Sequence, residues 1–218
     1  MKLHLGCGER YLDGYLNIDF PPSEHTVQRQ TKADRHADIL TLAYPPGTVD
    51  EVRLHHVFEH FTRPVAGGLV ASWASWLKPG GILRIEVPDF ARTARAALAI
   101  LQSTRRRRVA LRHLYGSHEA PWAVHAEGYT SASLAALVQG LGFRIVKVAR
   151  NSWRGTCNID LTAVRDSSSA SREERLAFIR RHLSLFLLDD SPTEARLLET
   201  WMEMAGRQLA VGWPPERR

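Results

Sequence analysis

The chain has 218 residues, 44% of them hydrophobic, and a formal charge of +6, which excludes a disordered polymer and leaves room for one sizeable domain rather than two. No apolar run approaches the roughly 18 to 20 residues that cross a bilayer, and a glycine turn follows Met1 too closely for a signal peptide, so the expected address is the cytoplasm. Cys7 and Cys157 form no disulfide framework, and all but four of the 29 basic residues are arginine, scattered except for Arg105 to Arg108. That run reads as a solvated face, with nucleic acid the less favoured partner.

In chain order, "KLHLGCG" reads as a short strand breaking into a glycine turn, and "GYLNIDF" as a second strand ending on Asp19. A third short strand is assigned to "ADIL", Ala37 to Leu40, and a fourth to "VDEVRLHHV", with His55 and His56 at its carboxyl end. From Pro64, Val65, Leu69, Val70, Trp73 and Leu77 form a helical face that "KPGG" closes, and "ILRIEV" is the next strand. Residues 90–128 read as irregular and rich in Arg, His and aromatics. A helix follows, with Leu134, Leu137, Val138 and Leu141 on one side. "FRIVKVAR" and "NIDLTAVR" then suit an antiparallel pair. After the linker "DSSSAS", Ser171 with Glu174 and Ser191 with Glu194 are capping-box patterns that open two terminal helices. Alternation of strands and helices implies an α/β, doubly wound, mostly parallel sheet.

Open parallel sheets bind ligands beyond the carboxyl ends of their strands, and here those ends carry Gly6, Gly8, Asp19, Asp38 and His56 in succession. Glycines in the first turn expose backbone N–H groups, and a carboxylate at the end of the second strand can accept both hydroxyls of a ribose. A nucleoside site is implied. The dinucleotide fingerprint fails, because Tyr11 stands where its third glycine belongs and Asp19 follows too soon for a full intervening helix. Residues His56, Glu59 and His60 also spell H-x-x-E-H, the spacing of an inverzincin zinc site.

The segments "LHLGCGERYLDGYLNIDF", "ADILTL", "HHVFEHF", "WLKPGGILRIEVPDF" and "GYTSASLAALVQGLGFRIVKV" resemble the successive motifs of class I S-adenosylmethionine-dependent methyltransferases, in order over about residues 1–165. The resemblance implies a Rossmann-like sheet of seven strands with the last antiparallel. It places Gly6, Cys7 and Gly8 under the methionine part of the cofactor, Asp19 on the ribose, Asp38 and Ile39 around the adenine, and His56 and Val57 near the sulfonium. Glu59 and His60 would begin a helix under the cofactor, which displaces the zinc-hydrolase reading, and His60 is either structural or active-site. Two features depart from the family pattern, namely a truncated first helix and the pair Gly67–Gly68, which weakens the helix before "KPGG" by about 1 kcal/mol per glycine.

Residues meeting the methyl acceptor are expected outside the common core, in an acceptor-side insertion at 90–128 and in the helical extension at 166–218, read as a lid or a homodimer contact. His125, then His118, is the candidate base. The same cluster, with Glu119 and Glu127, suits a divalent cation such as Mg. Trp122 and Trp153 suit stacking on a sugar ring. The truncated-helix branch resembles saccharide O-methyltransferases, which implies a small-molecule or oligosaccharide acceptor such as a mannoside. The competing readings are a nucleic-acid methyltransferase and a cofactor-binding module without turnover.

Overall fold

The structure is a computed structural model that describes residues 1–27, 31–153, 155–167 and 170–213. Seven strands form one sheet: β1 (Lys2–Leu5), β2 (Leu16–Asp19), β3 (Arg35–His36), β4 (Val49–His55), β5 (Leu77–Pro88), β6 (Phe143–Trp153) and β7 (Thr156–Arg165), in the spatial order β3-β2-β1-β4-β5-β7-β6. The pairs from β3 through β5 are parallel, and β7 runs antiparallel to both of its neighbours. This is the seven-stranded, mostly parallel arrangement that the sequence implied. The alternation in β4 buries Val49, Val52 and Leu54, and β1 buries His4 along with Leu3 and Leu5, as strands covered on both faces do.

Three segments differ from the sequence reading. Asp38 does not extend a strand: its Oδ1 accepts from the Leu40 amide (2.9 Å) and caps a 3-10 turn, Ile39–Thr41, so β3 ends at His36. Within 90–128 lie two helices, α2 (Phe90–Leu98), capped by Asp89, and α3 (Thr104–Tyr115), capped by Ser103. Arg105 to Arg108 are exposed on α3. β5 begins at Leu77, so "KPGG" lies within the strand rather than before it, with Gly80 at φ +78°.

No helix joins β1 to β2, and among the described residues the only helical segments between β2 and β4 are short 3-10 turns on either side of β3. The cover on this side comes from residues 172–212. Helix α1 (Arg63–Trp76) packs against α6 (Pro192–Gly212), and α5 (Arg172–Ser184) packs on both. Gln208 Nε2 donates to the Leu40 carbonyl (3.0 Å), and Trp76 Nε1 donates to the Gly212 carbonyl (2.6 Å). The glycines of α1 are the contact surface. A Cβ on Gly68 would stand 2.8 Å from the Ala205 carbonyl, and one on Gly67 would meet Ile179 at 3.4 Å. The residues that weaken α1 in isolation let two helices approach it closely.

Ser171 and Glu174 form the reciprocal capping box at α5, whereas Glu194 turns its carboxylate to the Leu188 amide and leaves Ser191 as a one-way cap for α6. Among the described residues no helix is long and apolar enough to cross a membrane.

Gly68→Val is expected to lower stability by about 1–3 kcal/mol through overpacking against α6. Gly206, in the same helix pair with nothing within 4 Å of an added Cβ, should instead gain about 0.5–1 kcal/mol on replacement by alanine. Urea midpoints of the two variants, compared at unchanged slope, check both signs.

Candidate cofactor and acceptor site

The strand order reverses between β1 and β4, and a mainly apolar cavity of about 820 Å³ opens beyond that switch point. Gly6, Cys7 and Gly8 after β1, Asp19 at the end of β2, Asp38 and Ile39 after β3, and His56 and Val57 after β4 all line it. The structure therefore brings together every residue proposed for the cofactor. Gly6 (φ +67°) and Gly8 (φ +56°) take left-handed backbone, and a Cβ on Gly6 would stand 2.3 Å from Val57 Cγ2. The cradle exists only because position 6 lacks a side chain.

Asp19 is fixed in orientation by its neighbours. Its Oδ2 accepts from the Gly8 amide, its Oδ1 accepts from the Phe20 amide (2.7 Å), and His25 Nε2 lies 3.4 Å from Oδ1. A carboxylate offers about four lone-pair directions, so these contacts fix its orientation and still leave acceptors for a diol. Cys7 is a small wall residue, not a nucleophile: burial and the charge of Asp19 push its thiol up to about 12.

A second cavity of about 580 Å³ adjoins the first and shares His56, His60 and Trp122 with it. Its wall is built by the 3-10 turn Phe58–His60, by α3 and by residues 116–125. Glu59 and His60 thus lie on this turn, and α1 begins only at Arg63. The Glu59 carbonyl accepts from the Ala126 and Glu127 amides (2.8 and 3.1 Å), which draws His125 to within 3.8 Å of the Glu59 carboxylate.

Glu59 is 1% exposed. Burial pushes its pKa up, but the hydrogen bond and charge of His56 outweigh that and leave it below the ordinary value. Burial likewise depresses His56, yet hydrogen bonds and charges from Glu59 (3.3 Å) and Glu86 (3.6 Å) override it and raise the imidazole to about 9. His125, whose largest influence is burial, is lowered, so it stays neutral near pH 7. His56 is thereby a fixed cation, while His125 can take a proton.

His118 stands apart. It is exposed, lines neither cavity, and its Nε2 bonds the Tyr115 carbonyl (2.9 Å). Trp122 lies on the wall common to both cavities, its Nε1 donating to the Glu24 carbonyl (3.0 Å) and its ring edge-on to His25. The side chain of Trp153 lies outside the described part of the structure. His25 escaped the sequence reading because it sits after two prolines with no periodic pattern around it. Its role becomes visible only when Trp122, 97 residues on, packs against it.

The pKa of His56 is higher folded than unfolded, so the stabilisation it contributes is complete below about pH 6.5 and is lost as pH rises through about 9. Because the ring is 39% exposed, solvent screening holds the effect to about 1 kcal/mol. Urea denaturation from pH 6 to 10 should show this decline. It should flatten in His56→Asn, which tolerates the left-handed φ of +54° at this position.

Residues 3–85 match the family described as methyltransferase domain. No curated protein matches the chain in sequence. Among solved structures, an S-adenosylmethionine-dependent methyltransferase from Methanosarcina mazei superposes with a TM-score of 0.50 at 14% identity, covering 77% of this chain and 92% of its own. The 1,6-didemethyltoxoflavin-N1-methyltransferase of Burkholderia thailandensis, with bound 1,6-didemethyltoxoflavin and S-adenosylhomocysteine, gives 0.51 at 16% identity over 76% and 71%. An S-adenosylmethionine-dependent methyltransferase from Mesorhizobium loti gives 0.50 at 16% identity over 75% and 90%. At such identities the superpositions establish architecture alone: the chain has the Rossmann-like methyltransferase fold, with a methyltransferase-domain match over its first five strands up to Ile85.

Proposed function

We propose that the chain is an S-adenosylmethionine-dependent methyltransferase acting on a hydroxyl of a saccharide or another polyhydroxylated small molecule. The observation that carries this reading is the pairing of two cavities. One is lined by Gly6, Gly8, Asp19, Asp38 and Ile39, and it adjoins a polar one through His56, His60 and Trp122.

The first cavity fits the cofactor on its own geometry. The bare backbone at Gly6 admits the methionine portion, Asp19 keeps acceptors free for the ribose, and Ile39 supplies an apolar wall for the adenine beside the Asp38 turn. When bound, the cofactor supplies a methyl carbon on sulfur, open to in-line displacement in which the acceptor oxygen forms the new C–O bond and the C–S electron pair returns to sulfur. The protein's tasks are placement and proton removal.

His125 suits the second task, since its burial keeps it neutral and Glu59 at 3.8 Å would balance the imidazolium formed when it takes the hydroxyl proton. His56, already protonated near neutral pH, cannot serve as base. The acceptor cavity is rich in imidazole, carboxylate and hydroxyl groups, with Trp122 on its rim, and this supports a polyhydroxylated ligand over a flat apolar one.

Calorimetry with S-adenosylmethionine should show Asp19→Ala binding at least tenfold more weakly, the loss of about one charged hydrogen bond; unaltered affinity would remove Asp19 from the ribose role. With labelled methyl donor and a panel of sugars, His125→Ala should lower turnover by about 10² or more while cofactor affinity stays within twofold. An undiminished rate would exclude His125 as base.

A further inference from the structure

Three side chains, two adjacent in sequence and one 65 residues further on, converge on the wall of the second cavity, where His60 also faces the first. Glu59 is 99% buried, and its Oε2 has no hydrogen-bond partner among the described residues, although a carboxylate oxygen so enclosed is costly to leave unanswered. His60 and His125 stand edge to face with ring centroids 4.8 Å apart. One ligand atom from each of Glu59, His60 and His125 lies within 4.8 Å of the others.

The supporting contacts are those of a built site. His60 Nδ1 donates to the Val124 carbonyl (3.1 Å), which fixes the tautomer and leaves the Nε2 lone pair free, the usual arrangement behind a metal-ligating imidazole. The two amides held by the Glu59 carbonyl clamp the His125 segment against the turn that carries Glu59 and His60. Aromatic stacking of Phe58 on Tyr129 at 5.2 Å reinforces the same junction. With metal–ligand bonds of about 2 Å, atoms on one ion stand about 3 Å apart, so binding would draw these three ligand atoms, now within 4.8 Å of one another, closer together.

We propose that Glu59, His60 and His125 form a binding site for a first-row divalent transition-metal cation, with its remaining coordination positions facing the acceptor cavity. Two imidazoles and one carboxylate favour Zn²⁺, Mn²⁺ or Fe²⁺ over Mg²⁺, which prefers oxygen donors. The site deepens the methyltransferase reading. In the metal-loaded protein an acceptor hydroxyl on such an ion would be more acidic and would give its proton to water, with His125 as a ligand, whereas in the metal-free protein His125 keeps the role of base. The metal site rests on that reading for its purpose but not for its existence.

The test uses the full chain stripped with chelator and titrated with ZnCl₂ by calorimetry in the absence of S-adenosylmethionine, with the visible spectrum of added Co²⁺ as a second readout. One equivalent should bind the wild type. His60→Ala and Glu59→Gln should each weaken it at least tenfold, while His118→Ala, outside the cluster, should not. His60 is only half-buried, so its variant carries the test should Glu59→Gln fail to fold. Absence of saturable binding to the wild type, or equal affinity in His60→Ala, overturns the proposal. A parallel titration with S-adenosylmethionine separates the two claims: cofactor binding without zinc binding sinks the metal site alone, and zinc binding without cofactor binding sinks the methyltransferase reading alone.

Discussion

A carboxylate removed completely from water costs several kcal/mol unless charges and hydrogen bonds answer it, and the site described here is arranged around one such group, Glu59. Its answer is His56, which reaches it only because the last residue before Val57 takes left-handed backbone at φ +54°. Backbone strain of that kind costs about 1–3 kcal/mol and persists where the surroundings overdetermine it. Here they do. The same imidazole meets Glu86 from β5, so a single cation ties two strand ends and the Phe58–His60 turn together. The peptide carbonyl of Glu59 does the rest, holding the segment that carries His125.

The division of labour among the histidines follows from this charge arrangement. His56, between two carboxylates, is fixed as a cation; His125, facing one carboxylate that His56 already satisfies, remains neutral. Two histidines facing the same carboxylate are thus pushed in opposite directions by their neighbours. The H-x-x-E-H spacing is real chemistry, but its first histidine neutralises the carboxylate and its second pairs with a residue 65 positions away, a partnership invisible to a motif read on one turn of helix.

Much of the architecture was legible because strands and glycine turns announce themselves locally. Gly6 and Gly8, Asp19 and His56 could be placed at strand ends from alternation and breaks, and the sheet order then fixed their neighbours. Helices α2 and α3 were not legible by periodicity, since α3 buries only Ala110 and most of its faces meet water. Their caps, Asp89 and Ser103, were the available signal. Asp38 misled for the opposite reason: "ADIL" has strand composition, yet a side chain that can bond its own backbone two residues on ends the strand early. His25 and Trp122 required tertiary contact and no local rule could have joined them.

The glycine face of α1 has a consequence for how the chain is assembled. Val65 to Trp76 leave the ribosome long before Pro192 to Gly212, yet the surface around Gly68 and Trp76 is shaped to receive that later helix. Sheet formation from β1 to β5 is therefore complete in sequence well ahead of the element that seals it. During synthesis, Gly68, Trp76 and the turn at Leu40 wait uncovered until residues 192–212 have been made, so this side of the hydrophobic interior closes well after the strands beneath it have emerged.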